Sequence, residues 1–169
     1  MSEITTAFAL LAPVPQVHLE DGLQCHPKVA FGSRAGAVFA EADFCRKAER
    51  VRVFIYESLS NRPTQPPKVS WTGVYIGQVP AVGKDKRHPQ GNLYRPERAF
   101  TKDTPGHWLI YWEVEELEYL PNEADRIKIS DLRGLANPTS PSSRLKPHYA
   151  RNFVPEGPLL IEYPSQNRV

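Results

Sequence analysis

Apolar and polar positions alternate with a period of two through "KVSWTGVYIGQV", from Lys68 to Val79. Val69, Trp71, Gly73 and Tyr75 fall on one side, and Ser70, Thr72, Val74 and Ile76 on the other. Period-two patterning with β-branched and aromatic residues predicts a strand. Its first face carries two large aromatics separated by glycines, which suits either tight packing or a platform left open for a flat ligand. "TAFALLAPV" (Thr6 to Val14) is apolar and ends at prolines, so it predicts a buried strand. "VRVFIYES" places Val51, Val53 and Ile55 on one face, "HWLIYWEVEELEYL" alternates Trp108, Ile110, Trp112 and Val114, and "PLLIEYP" predicts a final strand.

The period changes in "FGSRAGAVFAEADFCRKAER", where Ala37, Val38, Ala42, Phe44 and Cys45 recur at helical intervals. This predicts a helix from about Arg34 to Glu49, with Ser33 as its N-cap. "RIKISDLRGL" predicts a strand entering a short turn or helix capped by Ser130. The proline-rich stretch from Pro15 to Lys28, "LSNRPTQPP" and "ANPTSPSSRLKPHYAR" predict connections. Strands around one main helix, with short flanking helices, predict an α+β fold. Its sheet of five or six strands is expected to be small and strongly curved, closing towards a β-barrel. A doubly wound parallel sheet needs more helices than the pattern supplies.

Composition narrows this little. A length of 169 residues suits one core, so residues 1–169 are expected to form a single domain. Seventeen prolines predict long, stiffened loops. A net charge of +2 excludes a histone-like polycation and leaves room for a local basic patch. Cys25 and Cys45 have no CxxC or CxxH pairing, and even with His18 and His26 they make a poor zinc set, so two buried, inert thiols and no metal are expected. "AFALLAPVP" lacks a basic leader and is too short for a membrane span, which predicts a cytoplasmic protein without membrane association.

The aperiodic segment from Pro80 to His107 changes the picture more. It holds Lys84, Lys86, Arg87, Arg95, Arg98 and Lys102 against Asp85, Glu97 and Asp103, together with His88, Tyr94 and His107. A long loop of cations and aromatics suits phosphate binding, and Lys84, Lys86, Arg87, Arg95 and Arg98 are the candidate contacts. A solvated loop is the alternative. The acidic run Glu113, Glu115, Glu116 and Glu118 that follows would orient a polyanion towards one edge of the sheet. Phe31, Trp71, Tyr75, Trp108, Tyr111 and Trp112 are either core or a cage for a nucleobase, where each stacked base contributes about 1–3 kcal/mol. GxSxG, HExxH and P-loop signatures are missing, and His88 and His107 have no matched nucleophile. No catalytic residue and no cofactor is assigned.

The order of these elements resembles the PUA-like superfamily, which holds the EVE, YTH and ASCH domains. "VRVFIYES" is similar to its strand of the "VLIYHS" kind and "WTGVYIGQV" to its "GVAEV" strand. "HWLIYWEV" looks like its tryptophan-bearing strand, "IKISDLRGL" like the "pvsLeeLr" segment after it, and "VAFGSRA" stands where these domains place the pocket turn. The lysine-serine-glutamate-proline motif of the first EVE strand is replaced by "LLAPVP". The resemblance implies a small curved barrel that holds a modified or flipped base in an aromatic pocket. On this chain it implies base contacts from Phe31, near the first YTH cage tryptophan, and from Ser33 in the turn. Tyr56 and Ser58 stand in place of the EVE "YHS", Trp71 and Tyr75 lie on the strand beside the pocket, and Trp108 and Trp112 lie on the tryptophan strand. The expected partner is DNA or RNA carrying a modified base. Two other readings stay open: an ASCH-like amidohydrolase acting on a modified nucleoside, and a protein–protein adaptor using the proline-rich loops.

Overall fold

The structure, a computed structural model, describes residues 2–58, 67–102, 106–135 and 157–165. Asp103, nearly all of the "LSNRPTQPP" connection and the whole of "ANPTSPSSRLKPHYAR" lie outside these residues. Among these residues the fold is α+β: a six-stranded mixed sheet with three helices. In chain order the elements are β1 (Ile4–Pro15), α1 (Gln16–Gly22), β2 (Val29–Ser33), α2 (Gly36–Arg46), β3 (Arg50–Ser58), β4 (Trp71–Pro80), α3 (Glu97–Lys102), β5 (Ile110–Tyr119) and β6 (Leu159–Ile161). The strands lie in the order β2-β5-β4-β3-β1-β6; β1 and β3 run parallel, and the other neighbours are antiparallel.

The apolar run of β1 follows from burial on both faces, as for a central strand. Phe8, Leu10, Ala12 and Val14 enter the main core, while Ala9 and Leu11 enter a second core with Tyr56, Val69, Ile129 and Ile161. Val51, Val53 and Ile55 of β3 join the main core, as their alternation predicts. Helix α2 covers that core with Phe39 and Ala42. The Phe39 ring stacks on Trp112 with centroids 5.3 Å apart and meets Tyr75 at 5.5 Å. This buried face differs from the predicted one, since Phe44 is 85% exposed and Cys45 is exposed too. The expectation of two buried thiols is therefore corrected: only Cys25 is partly covered, and burial raises its pKa. Ser33 ends β2 rather than capping the helix; its Oγ accepts from the Ala35 N–H at 3.0 Å. Ser130 likewise lies inside a 3-10 turn, Ile129–Asp131, which has no side-chain cap.

The sheet is curved, but it does not close. Three strands separate β2 from β1, yet Phe31 of β2 and Ala12 and Val14 of β1 share one apolar cluster. Register shifts between β4 and β5 on both sides of Val74 and Tyr75 mark bulges, which bend and twist a sheet. Closure into a barrel needs free edges to meet, and here both edges are already bonded. The Ala30 N–H donates to the Tyr94 carbonyl at 2.8 Å, and Arg95 Nη1 donates to the Ala30 carbonyl at 2.7 Å. On the far edge, the Leu135 N–H donates to the Leu160 carbonyl at 2.9 Å. The expected barrel is thus replaced by an open, curled sheet with covered edges.

Two elements were hidden in predicted loops. α1 is seven residues long, too short for a periodic pattern, and only Leu19 and Gly22 of it are buried. The long basic segment packs back on the fold: α3 lies against α1, and His88 and Arg95, which are 3% and 5% exposed, reach β5 and β2.

Candidate functional site

The ends of β1, β2 and β3 and the start of β5 converge on a cavity of about 440 Å³, within the range of small-molecule sites, about 300–1,000 Å³. β2 contributes Phe31, Gly32 and Ser33, and the turn after it contributes Arg34 and Ala35. β1 supplies Ala12 to Pro15, α1 supplies His18, and Ser58 ends β3 at the rim. Trp108, Trp112 and Arg95 form the opposite wall, and Gly157 and Pro158 also line the cavity.

Pairing between β2 and β5 sets the aromatic wall. Phe31 is opposite Trp112 in the register, and their rings lie 5.0 Å apart. The Leu109 N–H donates to the Ser33 carbonyl at 3.0 Å, so Trp108 is carried over the end of β2. Its indole lies directly on the backbone of Gly32, where a Cβ would sit 2.6 Å from the ring. Only glycine leaves room for that ring. The Ser33 hydroxyl accepts from Ala35, which leaves its own proton free to donate. Arg34 stands exposed at the mouth.

Five of the base-contact residues proposed from sequence therefore meet here: Phe31, Ser33, Ser58, Trp108 and Trp112. Trp71, Tyr75 and Tyr56 do not. Trp71 is 3% exposed, packs on Tyr119 and donates from Nε1 to Glu57 Oε1 at 3.1 Å. Tyr75 is fully buried beneath α2, and its hydroxyl donates to Asp43 Oδ1 at 3.0 Å. Burial first, and then the Asp43 carboxylate, pushes its pKa far up. Tyr56 points to the second core, on the opposite face of the sheet, and burial raises its pKa as well. Strand alternation assigns Trp71 and Tyr75 to a face but not to a place along the sheet, and the match of Tyr56 to the EVE "YHS" fixes neither its face nor its surroundings. The glycine between Trp71 and Tyr75 serves packing: a Cβ on Gly73 would lie 2.4 Å from Val114 Cγ1.

The basic residues divide. Lys84 and Lys86 are exposed on a turn that begins where the Ala81 N–H donates to the Leu109 carbonyl, beside Trp108. Arg87 donates from Nη1 to the Phe100 carbonyl at 3.0 Å and lies over the Phe100 ring. Arg95 is held against Ala30 and over the Tyr111 ring at 4.9 Å, with its guanidinium in the pocket wall. Arg98 grips Asp21 through two guanidinium hydrogen bonds of 2.8 and 2.9 Å and one from its backbone N–H at 3.0 Å, which hold the Asp21 carboxyl below its ordinary range. Arg87, Arg95 and Arg98 are thus engaged within the fold, and their charges brace the loop.

His18 and Arg34 were not foreseen as pocket residues, because α1 was invisible in the pattern and Arg34 was counted into the helix. A buried cluster was also missed. Glu113 Oε2 accepts from Lys28 Nζ at 3.0 Å and faces His88 Nε2 at 3.3 Å. The Gln90 N–H donates to His88 Nδ1 at 3.0 Å, which leaves the ring proton on Nε2, towards Glu113. Burial raises the Glu113 pKa, but the hydrogen bonds from His88 and Lys28 outweigh it, and the carboxyl titrates below its ordinary value. This cluster ties the loop to β5. His107 is exposed, edge-on to Trp108 at 4.2 Å. Among the described residues no group of His, Cys, Asp and Glu is arranged to hold a metal, and no helix is long and apolar enough to cross a membrane.

The chain matches no protein-family model, no curated protein and no solved structure.

Proposed function

We propose that this chain is a PUA-like nucleic-acid-binding domain that takes a single base, modified or flipped, into the pocket of Phe31, Trp108 and Trp112. The observation that carries the proposal is convergence. Five of the eight residues that the resemblance and the aromatic pattern point to, from β2, β3 and the tryptophan strand, line one cavity, although they are far apart in sequence. The half-exposed indole of Trp108 offers a flat face, the Ser33 hydroxyl offers a donor to a base edge, and Arg34 with Lys84 and Lys86 offers exposed charge outside for backbone phosphates.

Energetics fit this division of labour. Extruding a base from a duplex costs a few kcal/mol. Stacking returns about 1–3 kcal/mol per aromatic partner, and the remainder comes from edge hydrogen bonds and phosphate contacts. Single-stranded substrates, already unstacked, are expected to bind best.

The test is a titration of Trp108→Ala and Trp108→Phe against single-stranded oligonucleotides bearing one modified base, with denaturant midpoints measured in parallel. Trp108→Ala is expected to bind about 5- to 150-fold more weakly, the equivalent of one lost stack. Trp108→Phe should recover part of that loss. A folded Trp108→Ala variant that binds as tightly as the parent would overturn the proposal.

A further inference from the structure

We infer that a second cavity, next to the base pocket, takes the neighbouring nucleotide of the same strand and selects guanine through the Glu97 carboxylate. This rests on the base-pocket proposal above. The second cavity measures about 330 Å³ and lies between the end of α1 and the start of α3, with Asp21, Gln24, Leu93, Arg95 and Glu97 in its lining. Two elements are shared with the base pocket. Arg95 lines both cavities, and α1 presents His18 to one and Asp21 to the other. Three positions on a helix are about 5 Å along its axis, a separation that consecutive nucleotides of a single strand can bridge. Bonds within the protein hold this arrangement. Arg98 of α3 grips Asp21 of α1 through its guanidinium at 2.8 Å and its backbone N–H at 3.0 Å. The Gln24 N–H donates to the Asp21 carbonyl at 3.1 Å, so the chain beyond α1 keeps coiling and carries Gln24 to the cavity.

The lining suits a base. Leu93, 61% exposed, offers an apolar surface to a ring face, and the exposed Gln24 and Glu97 offer polar groups to its edge. Asp21 is committed to Arg98, so Glu97 is the carboxylate that meets the ligand. An ionised carboxylate only accepts, and it binds most strongly to two parallel donors. Guanine alone sets two donors side by side, N1–H and the N2 amino group. Adenine and cytosine place a ring-nitrogen acceptor beside their one amino group, and uracil and thymine flank N3–H with carbonyls. Each of these turns a lone pair towards the carboxylate. The charge of Glu97 also repels the strand, by about a factor of two in affinity for one phosphate about 10 Å away in water. A good bidentate pair discriminates between bases by about 5- to 150-fold. Selection of guanine therefore outweighs the repulsion.

The experiment titrates single-stranded DNA and RNA oligonucleotides bearing one 5-methylcytosine or N6-methyladenine, with each ordinary base in turn on its 5′ side and then on its 3′ side. On one of the two sides guanine is expected to bind about five- to tenfold more tightly than any other base, the lower end for a bidentate pair because the cavity is open. Hypoxanthine, which lacks only the N2 amino group, should lose most of that advantage. Glu97→Gln should erase the preference, because its amide keeps one acceptor and turns an N–H2 towards the second donor. The same variant should bind the other neighbours at least as tightly as the parent, since a negative charge is gone. Trp108→Ala should weaken every oligonucleotide and keep the guanine preference. Equal affinity for all neighbours on both sides, or a preference that survives Glu97→Gln, overturns the inference and leaves the base pocket standing. A Glu97→Gln variant that weakens all neighbours equally shows a merely structural role and also overturns it. Normal binding by Trp108→Ala overturns the base-pocket proposal instead, even where guanine is selected through Glu97. If no oligonucleotide binds, both fall.

Discussion

A single methyl group placed on Gly32 separates the pocket from the fold. In Gly32→Ala the new Cβ would lie 2.6 to 2.7 Å from three atoms of the Trp108 ring, about 0.8 Å inside ordinary contact. Relief requires the whole indole to rotate, since Cγ at its root is among the atoms met, and the ring is partly exposed with the cavity beside it to receive that rotation. The stability change is therefore expected to stay within about 1 kcal/mol, and less flexible backbone in the unfolded chain partly offsets the strain. Binding should fall much as in Trp108→Ala, because the displaced ring no longer presents its stacking face; the loss is about 1–3 kcal/mol. Gly73→Ala is the control. There the Cβ would lie 2.4 Å from Val114 Cγ1, with the Glu115 carbonyl oxygen and Val53 Cγ1 each at 3.4 Å, in the packed core with no void to absorb the shift. Overpacking at such a site costs about 1–3 kcal/mol of stability. Equilibrium urea unfolding measures the first quantity and oligonucleotide titration the second. The reasoning is refuted if Gly32→Ala binds normally, or if it destabilises the protein as much as Gly73→Ala does.

Two further outcomes follow from the loop. Glu113 titrates below its ordinary value of 4.5. Its contribution to stability is therefore full above that value and is lost as pH falls through the depressed pKa. The stability difference between the parent and Glu113→Gln should be constant from pH 5 to 7 and close below about pH 4; a difference independent of pH down to pH 2 would show that the carboxylate does not hold Lys28 and His88. Lys84→Ala with Lys86→Ala should lower the slope of log affinity against log salt by about one unit per lost phosphate contact. Arg98→Ala should leave the slope unchanged, because its guanidinium is spent on Asp21. Equal effects from both would mean that the ion pair opens on binding.

Much of the fold was legible in local pattern. Alternation in "VRVFIYES" correctly placed Val51, Val53 and Ile55 on one core face, and the apolar "TAFALLAPV" marked a buried strand, because period and burial are properties of a few consecutive residues. Of the six aromatics singled out as base contacts, Phe31, Trp108 and Trp112 line the cavity, whereas Tyr56, Trp71 and Tyr75 lie in the cores. What the pattern lacked was distance. Trp71 and Trp112 share a face of the sheet, but only the β2–β5 register and the curl of the strands bring Trp112 beside Phe31 and leave Trp71 against Tyr119. Closure was another matter of long range: Ala30 bonds to Tyr94 and Arg95, residues more than sixty positions away, and that contact keeps the sheet open. The charge of the loop was countable in the sequence, but its availability was not. An arginine side chain long enough to reach phosphate is also long enough to reach Asp21 or the Ala30 carbonyl, and only packing decides which partner it meets.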